Sequence, residues 1–394
     1  MRWKASSELD DANSAAVEFS LADIHGYSFV GKHKPDALIQ FYGPFGEYVS
    51  MGNVSMQICY QLIEHFEQIA IQNFIPTPWL DPHLEQYAGL NLKAPIGIFL
   101  GTPDAVPSLF YDHALSIGGF VCETNAIDPH WVGICNKLDL IFVPTLWCKT
   151  AFKDSGVTTP IVVVPHGIED EYRPVDGVLD SEPFVFYNTF HSSSFCSRKS
   201  MEELIRAFLT TFRHDEKVIL KLRTDPSPKL AECKRRFNFS NKIVHVPMDN
   251  CSTSDFAKIY STVHCTVHPS KGEGFGLIPF QSIACETPVI APHTTGMADY
   301  LTAENSIKLE VAGPAYGEGV GNSHGTYFNI DEADLRLKLR YVYENWAAEK
   351  EKVVRTGAQF RDQHAWHNVL SGFVSLLSKL LESPDQTKSI LAKL

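Results

Sequence analysis

Residues 268–301 read HPSKGEGFGLIPFQSIACETPVIAPHTTGMADYL, and this stretch predicts a turn and a helix between two short buried strands. An apolar run precedes it, glycines break the chain at 272–274, residues 275–285 have a helical pattern, and residues 288–291 form a second apolar run. A helix that opens after a glycine-rich turn offers unpaired backbone N–H groups and the positive end of its dipole. The turn therefore suits a phosphate group, since glycine also lets a ligand approach the backbone closely.

Glu273 stands inside this turn. A carboxylate would repel a phosphate, so we expect Glu273 to face another part of the ligand and to accept hydrogen bonds from ribose or sugar hydroxyls. Phosphate and sugar together indicate a nucleotide sugar. From the glycines alone, an ordinary strand-to-helix turn with a solvated glutamate also fits the residues.

Three segments of the stretch resemble the donor-site signature of the retaining group 1 glycosyltransferases, a large family with the GT-B fold. They are GEGFG at 272–276, PFQSIACETPVIA at 279–291 and TGMADYL at 295–301. The family usually carries two glutamates separated by seven residues, and here Glu273 fills the first position and Gln281 the second. The resemblance implies that the first side chain lies near the donor sugar and the second holds the ribose. Gln281 can still hydrogen-bond a ribose hydroxyl through its carbonyl oxygen, but without charge assistance.

The resemblance also implies a set of donor-binding residues on two strand-to-helix loops. The first loop follows an apolar strand at 37–42 and should border a crevice, because ligands of open α/β sheets lie at the carboxyl ends of strands. The predicted donor-binding residues are Gly43, Gly46, Gly274, Phe275, Gly276, Leu277 and Gln281. Taken without the family, the first loop is equally well a tight turn.

Arg198 and Lys199 directly precede a predicted helix at 201–212. Two cations beside a helix N-terminus at a strand end form a strong diphosphate site, which stabilises the charge that develops as a nucleotide leaves. The alternative is a solvated basic pair. Family members carry an Arg-Lys-Gly here, and in this chain the third residue is Ser200.

Glu123 follows a strand in the first half, within a segment, 122–157, that also resembles a subgroup of the family. We expect Glu123 to orient acceptor or sugar hydroxyls or to act as a base, the alternative being a helix cap or loop carboxylate. His130 is predicted to be packed or exposed rather than catalytic, and His166 to pack within its turn rather than to face the cleft. Lys221 and Arg223, on a strand at 217–223, point either to solvent or to the cleft, and solvent is favoured.

The fold class is predicted as α/β GT-B, with two Rossmann-like domains facing across a cleft. A chain of 394 residues is long enough for two domains. We expect an N-terminal acceptor domain at 1–175, a nucleotide-sugar domain at 183–365 and a helix at 366–394 that returns to the first domain. Four further predictions cover an irregular lead-in or an extra element at 1–35, a helix at 108–116 followed by a strand at 120–122, an irregular loop at 312–326 and a frayed end at 388–394.

Composition favours a cytoplasmic enzyme. Hydrophobic residues make up 44% of the chain and charged residues 20%, and no apolar run is long enough for a membrane span or a signal peptide. Nine scattered cysteines without a Cys-x-x-Cys pair indicate a reducing compartment and no zinc site. The net charge of −12 disfavours nonspecific binding to nucleic acid or anionic lipid.

The function implied by the resemblance is transfer of a sugar from a nucleotide-diphosphate sugar to an acceptor hydroxyl with retention of configuration. We expect Arg198 and Lys199 to stabilise the diphosphate, Glu273 to hold sugar hydroxyls and Glu123 to assist, with no metal ion and no cofactor beyond the donor substrate. Two alternatives remain. One is a glycosyltransferase acting on hydroxymethylated bases of viral DNA, and the other is a non-catalytic nucleotide-sugar or glycan-binding protein. The donor base, the acceptor and the oligomeric state stay undetermined by sequence.

Overall fold

The computed structural model describes most of the chain. The described residues are 17–21, 27–45, 50–73, 81–175, 179, 182–191, 197–237, 239, 241–248, 251–317 and 324–394.

The first half is built on a parallel sheet whose strands run in the order β4-β3-β6-β7-β8-β9. The strands are β1 Val17–Leu21, β2 Tyr27–His33, β3 Ile39–Gly43, β4 Ile69–Asn73, β5 Gly89–Leu90, β6 Ile96–Leu100, β7 Leu115–Gly119, β8 Leu140–Val143 and β9 Ile161–Val163. The helices are α1 Ser50–His65, α2 Pro82–Glu85, α3 Pro129–Cys135 and α4 Leu146–Asp154, with 3-10 turns at Pro103–Ala105 and Ser108–Asp112. Strands β1, β2 and β5 form a separate small sheet.

The second half repeats the architecture with the strand order β12-β11-β10-β13-β14-β15, again all parallel. Its strands are β10 Phe184–Thr189, β11 Val218–Thr224, β12 Ile243–Pro247, β13 Cys265–Val267, β14 Val289–Pro292, β15 Ile307–Leu309, β16 Val311–Tyr316 and β17 Thr326–Ile330. Its helices are α5 Met201–Thr211, α6 Pro228–Phe237, α7 Thr253–Ser261, α8 Leu277–Ala284, α9 Glu332–Gln363, α10 Trp366–Glu382 and α11 Thr387–Leu391, with 3-10 turns at Thr295–Asp299 and Pro384–Gln386. Strands β11 and β12 are added on one side of β10, and β13, β14 and β15 on the other. The boundary between β10 and β13 is therefore a topological switch point, with a crevice at the carboxyl ends of these two strands.

Both sheets are covered by helices on their two faces, which explains their apolar strands. Every residue of β3, β6, β7 and β10 is buried. Parallel strands buried on both faces read as continuous apolar runs rather than as alternating patterns. This is why the sequence locates these strands well.

The chain passes between the two halves twice, near Ile168 and near Ala365, and these two segments lie side by side. The backbone N–H of Ile168 donates to the carbonyl oxygen of His364 at 2.8 Å, and Ile168 forms a parallel bridge with Ala365. Directly after this crossing, α10 packs onto the first half, where Phe373 contacts Phe142 with ring centroids 5.0 Å apart. The predicted GT-B class is therefore confirmed, including the C-terminal helix that returns to the first half.

Three local predictions are corrected. Residues 108–116 form a 3-10 turn and the start of β7 rather than a helix, and 120–122 lie beyond that strand. The sequence misplaces β7 because its glycines read as a chain break, whereas a Cβ at Gly119 would lie 2.1 Å from the Phe142 ring. The other two corrections replace irregular chain by regular elements, namely the antiparallel pair β16 and β17 in the loop and α11 at the end. In the lead-in, β1 and β2 form the extra element that was one of its two predicted states.

Phe373→Ala should test the attachment of α10. Removing a buried ring that packs on Phe142 leaves a cavity, and we expect the free energy of unfolding to fall by about 3 kcal/mol. Urea denaturation followed by circular dichroism measures this change. The exposed Ser375→Ala on the same helix is the control, and a loss of similar size there would contradict the assignment.

Candidate functional site

The crevice of the second sheet brings together residues from three loops. Arg198 and Lys199 lie between β10 and α5, Glu273 lies between β13 and α8, and Glu123 comes from the loop after β7 in the other sheet. The backbone N–H of Lys271 donates to the carbonyl oxygen of Arg198 at 2.8 Å and so ties the first two loops together. Strands β10 and β13 are neighbours in the sheet, which explains why residues 74 positions apart meet here.

One carboxylate engages both cations. The Lys199 ammonium contacts Oε1 of Glu273, and Nη1 of Arg198 lies 3.3 Å from its Oε2. Nη2 of Arg198 also lies 3.5 Å from Oε1 of Glu123, and its Nη1 donates to the carbonyl oxygen of Gly272 at 2.6 Å. The Arg198 and Glu273 side chains are only 6% and 10% exposed, against 27% for Glu123. The structure therefore brings all four predicted catalytic residues into one cluster, most of it buried.

The charges in this cluster shift one another's pKa values. Burial by itself would raise the pKa of Glu273, but Lys199 and then Arg198 hold it well below its usual range. Burial and the neighbouring Arg198 lower the pKa of Lys199, against the attraction of Glu273. The pKa of Arg198 is raised, because Glu273 and Glu123 outweigh its burial. Glu273 is thus a carboxylate at neutral pH, fixed between two cations.

His268 and Thr295 complete the surroundings of Glu273, and the sequence did not single them out. Nε2 of His268 lies 3.0 Å from Oε1 of Glu273, and burial lowers the pKa of this histidine. Since a carboxylate only accepts, Nε2 must carry the hydrogen. The backbone N–H of Glu273 donates to Oγ1 of Thr295 at 3.1 Å, and its carbonyl oxygen accepts from the N–H of Gly296 at 2.8 Å. His268 directly follows β13 and precedes the glycine-rich turn, and this position at a strand end is the feature of the sequence that could have identified it.

The glycine-rich turn touches the other half of the molecule. A Cβ at Gly274 would lie 2.0 Å from Cγ1 of Val121, and the Gly274 carbonyl oxygen accepts from Oγ1 of Thr145 at 2.9 Å. Gly276 caps α8 with φ +90°, a conformation that favours glycine. Glycine is therefore required at 274 by the close approach of the two sheets and at 276 by the backbone.

Two other predicted donor-binding residues lie in packed surroundings. The Phe275 ring is 5% exposed and contacts His166, Phe280 and Tyr300, so its side chain belongs to an aromatic core. Leu277 is the first residue of α8 and is half-buried. A donor contact from this turn would therefore come from backbone groups, as at other helix N-termini.

Gln281 has a protein partner at the oxygen assigned to ribose. The Tyr260 hydroxyl donates to its Oε1 at 3.1 Å, and the Gln281 residue is 7% exposed. A ribose hydroxyl would share this oxygen with Tyr260, since an amide oxygen has two lone pairs. The ribose role of Gln281 stays a prediction.

The first-half loop contributes less to the described site. Gly43 ends β3, and a Cβ there would lie 2.8 Å from both Cε1 of Phe41 and Oγ of Ser55. Packing beneath the loop therefore requires a glycine at this position. Gly46 lies outside the described residues, so the expected contact of this loop with donor phosphates stays a prediction.

The histidines behave as expected, and Arg223 does not. His130 is exposed in the first turn of α3, whereas His166 is buried between the rings of Phe275 and Trp366, with centroid distances of 4.7 and 6.3 Å. Arg223 was expected to face solvent and is only 3% exposed, with Nη2 3.1 Å from the Cys251 sulfur. That prediction was wrong because alternation along a strand does not separate core from solvent when helices cover both faces of its sheet.

No group of three or more His, Cys, Asp or Glu side chains suited to a metal ion occurs in the described part of the chain. Among the same residues, no helix is long and apolar enough to cross a membrane.

One family model and one curated protein match parts of the chain. Residues 197–373 match the model of the Family 4 Glycosyltransferase in conflict systems. The O-antigen chain mannosyltransferase RfbU of Salmonella typhimurium is 24% identical over 158 residues, which cover 36% of this chain and 44% of that protein. The chain thus spans less than half the length of this curated relative.

Solved structures match over nearly the whole chain. Sucrose-phosphate synthase from Thermosynechococcus elongatus has a TM-score of 0.63 at 13% identity, covering 88% of this chain and 99% of that one. HepE from Anabaena, in complex with UDP and glucose, has a TM-score of 0.65 at 13% identity, covering 86% and 99%. At such identities these likenesses show the fold. With the family match over residues 197–373, they support the group 1 glycosyltransferase class with the GT-B fold that the sequence predicted.

His166→Phe should flatten the acid dependence of stability. Burial lowers the pKa of His166 to about 3 from an ordinary 6.5, so the unfolded chain binds one more proton between these values. Stability contributed by the neutral ring is full above pH 6.5 and falls as the pH drops, by up to about 1.4 kcal/mol per pH unit. Phenylalanine keeps the ring packing without this proton.

The measurement is the free energy of unfolding at several pH values between 7 and 4 for wild type and variant. The exposed His367→Phe is the control for losing a histidine elsewhere. Parallel pH curves for wild type and His166→Phe would contradict the buried neutral state.

Proposed function

We propose that this protein transfers a sugar from a nucleotide-diphosphate sugar to an acceptor hydroxyl, with retention of anomeric configuration. The observation that carries the proposal is the buried cluster of Arg198, Lys199 and Glu273 at the switch point of the second sheet. Ligands of open α/β sheets bind at such points. Two cations in a poorly solvated crevice match a diphosphate, and a fixed carboxylate beside them matches sugar hydroxyls.

Each side chain has a distinct task in this proposal. Arg198 and Lys199 stabilise the charge on the diphosphate as its bond to the sugar loosens, and burial strengthens that effect because water screens it little. Glu273 accepts hydrogen bonds from the sugar and stands near the developing positive charge of an oxocarbenium-like centre. The departing phosphate takes the proton of the acceptor hydroxyl, and Glu123, at the exposed edge of the cluster, orients that hydroxyl.

The domains divide the work accordingly. We propose that residues 183–365 hold the nucleotide sugar, residues 1–175 bind the acceptor and 366–394 fasten the two together. The proximity of Glu123 to Arg198 supports this division, since it brings the first half to the donor site. The mannosyltransferase RfbU and the UDP-bound HepE support a nucleotide-sugar donor. We propose further that no metal ion or other cofactor takes part, because the two cations supply the charge that a metal otherwise would.

We propose a cytoplasmic location. Of the eight cysteines in the described part of the chain, seven are buried. Such a set of thiols suits a reducing compartment.

Lys199→Ala should lower transfer by about a hundredfold or more, because one of the two charges that stabilise the leaving diphosphate is lost. A thermal-shift screen with UDP, GDP, ADP and their sugars first selects the donor, since a bound ligand raises apparent stability. Nucleotide release and product formation are then measured, with circular dichroism as the check of folding.

Lys308→Ala, which removes an exposed lysine paired with Glu310, is the control and should keep full turnover. Wild-type turnover in Lys199→Ala would refute the diphosphate assignment. Donor binding without any nucleotide release by the wild type would instead favour a non-catalytic binding protein.

A second candidate is transfer to hydroxymethylated bases of viral DNA. The description of the matching family as belonging to conflict systems favours it, whereas the net charge of −12 weighs against it. If DNA is the acceptor, the wild type should bind hydroxymethylated duplex at low salt, with affinity that falls steeply as salt is added. Fluorescence anisotropy measures this, with unmodified duplex as the control. Absence of binding at low salt would exclude the candidate.

A further inference from the structure

The contacts of Glu273 conflict with a simple division between phosphate-binding and sugar-binding groups. Its Oε1 contacts Lys199 and lies 3.0 Å from Nε2 of His268, and its Oε2 lies 3.3 Å from Arg198. Both carboxylate oxygens are therefore engaged with the hydrogen-bond donors that a diphosphate would use. A phosphate oxygen and a Glu273 oxygen cannot both occupy the same direction from the Lys199 ammonium.

We infer that Glu273 is an internal counter-ion that competes with the donor diphosphate for Arg198 and Lys199, so that it limits the affinity for both the donor and the nucleotide product. The inference rests on the proposed function and adds to it a second role for this carboxylate. Nucleotide binding is then an exchange of anionic partners at two fixed cations.

The charge count supports an exchange. Arg198 and Lys199 carry two positive charges, and Glu273 and Glu123 carry two negative ones within 3.5 Å, while burial keeps His268 neutral. The cluster is thus balanced by its own residues. A diphosphate ester brings two further negative charges into the same crevice, and like charges there are weakly screened. The Glu273 charge therefore opposes diphosphate binding even after its contacts with the cations have been exchanged.

Two features hold Glu273 in place during such an exchange. His268 keeps a hydrogen bond to Oε1 that does not depend on either cation, and the Glu273 backbone is fixed by Thr295 and Gly296. The carboxylate therefore stays within reach of both cations. It returns to them when the nucleotide leaves, which makes it a positioned competitor that speeds product release.

Glu273→Gln separates this role from sugar binding. Inorganic pyrophosphate is the probe, because it has the phosphates of the donor but neither sugar nor ribose. Glutamine has nearly the same shape and lacks the charge, so pyrophosphate and UDP should bind about tenfold more tightly, while sugar transfer falls. The matched control, Glu304→Gln, removes the same charge from an exposed pair with Arg355 and should leave both affinities within about twofold of wild type.

Titration calorimetry of folded wild type, Glu273→Gln and Glu304→Gln gives the answer. Unchanged or weaker pyrophosphate binding by Glu273→Gln overturns the inference, since Glu273 would then only orient the cations or bind sugar. If Glu273→Gln does not fold, Glu273→Asp replaces it. The shorter side chain retracts the carboxylate from both cations, so tighter binding supports the inference and unchanged or weaker binding overturns it.

The two proposals can fail separately. Pyrophosphate binding does not depend on sugar transfer, so tighter binding by the variant supports the counter-ion even if wild-type protein transfers no sugar from any donor tested. Conversely, active wild type with pyrophosphate affinity unchanged by Glu273→Gln keeps the proposed function and removes the counter-ion.

Discussion

Burial of two cations beside each other is the constraint on which the site depends. Removing Arg198 and Lys199 from water costs several kcal/mol per ion unless charges of opposite sign stand against them. Glu273 supplies most of that compensation, and Glu123 contributes from the other sheet. The cluster is consequently stable only when both strand-end loops and the facing half are in place. The ion pairs of the cluster hold these loops together, and the packing of the loops keeps the ion pairs in place.

The two halves are held together by contacts that surround this cluster. Thr145 donates to the Gly274 carbonyl oxygen, and the backbone N–H of Leu146 donates to Asp299 at 2.7 Å. On the other side, Asn125 exchanges hydrogen bonds with Thr326 on β17: its backbone N–H donates at 3.0 Å and its Oδ1 accepts at 2.8 Å. These bonds mostly join backbone groups to short polar side chains, and they fix the distance between the sheets. The glycine-rich turn serves as a contact surface as well as a candidate phosphate site.

Several elements show why sequence reasoning succeeded or failed. Strands such as β3 and β10 are fully buried, and their continuous apolar runs were recognised. Strand β7 was misplaced because its two glycines look like a turn, whereas Gly118 is needed for packing against Phe120 and Gly119 for packing against Phe142. The pair β16 and β17 was read as a loop because β16 alternates between half-buried and exposed positions in a glycine-rich segment. His268 was overlooked because only the folded turn brings its ring to Glu273.

Local patterns in the sequence were enough to predict the fold class and the succession of two α/β halves, because buried parallel strands and the GEGFG segment are recognisable in the chain. The sequence also indicated the four charged residues of the cluster. Tertiary structure alone decided that Glu273 binds both cations, that Gln281 is already bonded to Tyr260 and that Gly274 meets the opposite sheet. These facts depend on distances between residues far apart in sequence, and such distances are set by strand order and domain docking, which no local pattern encodes.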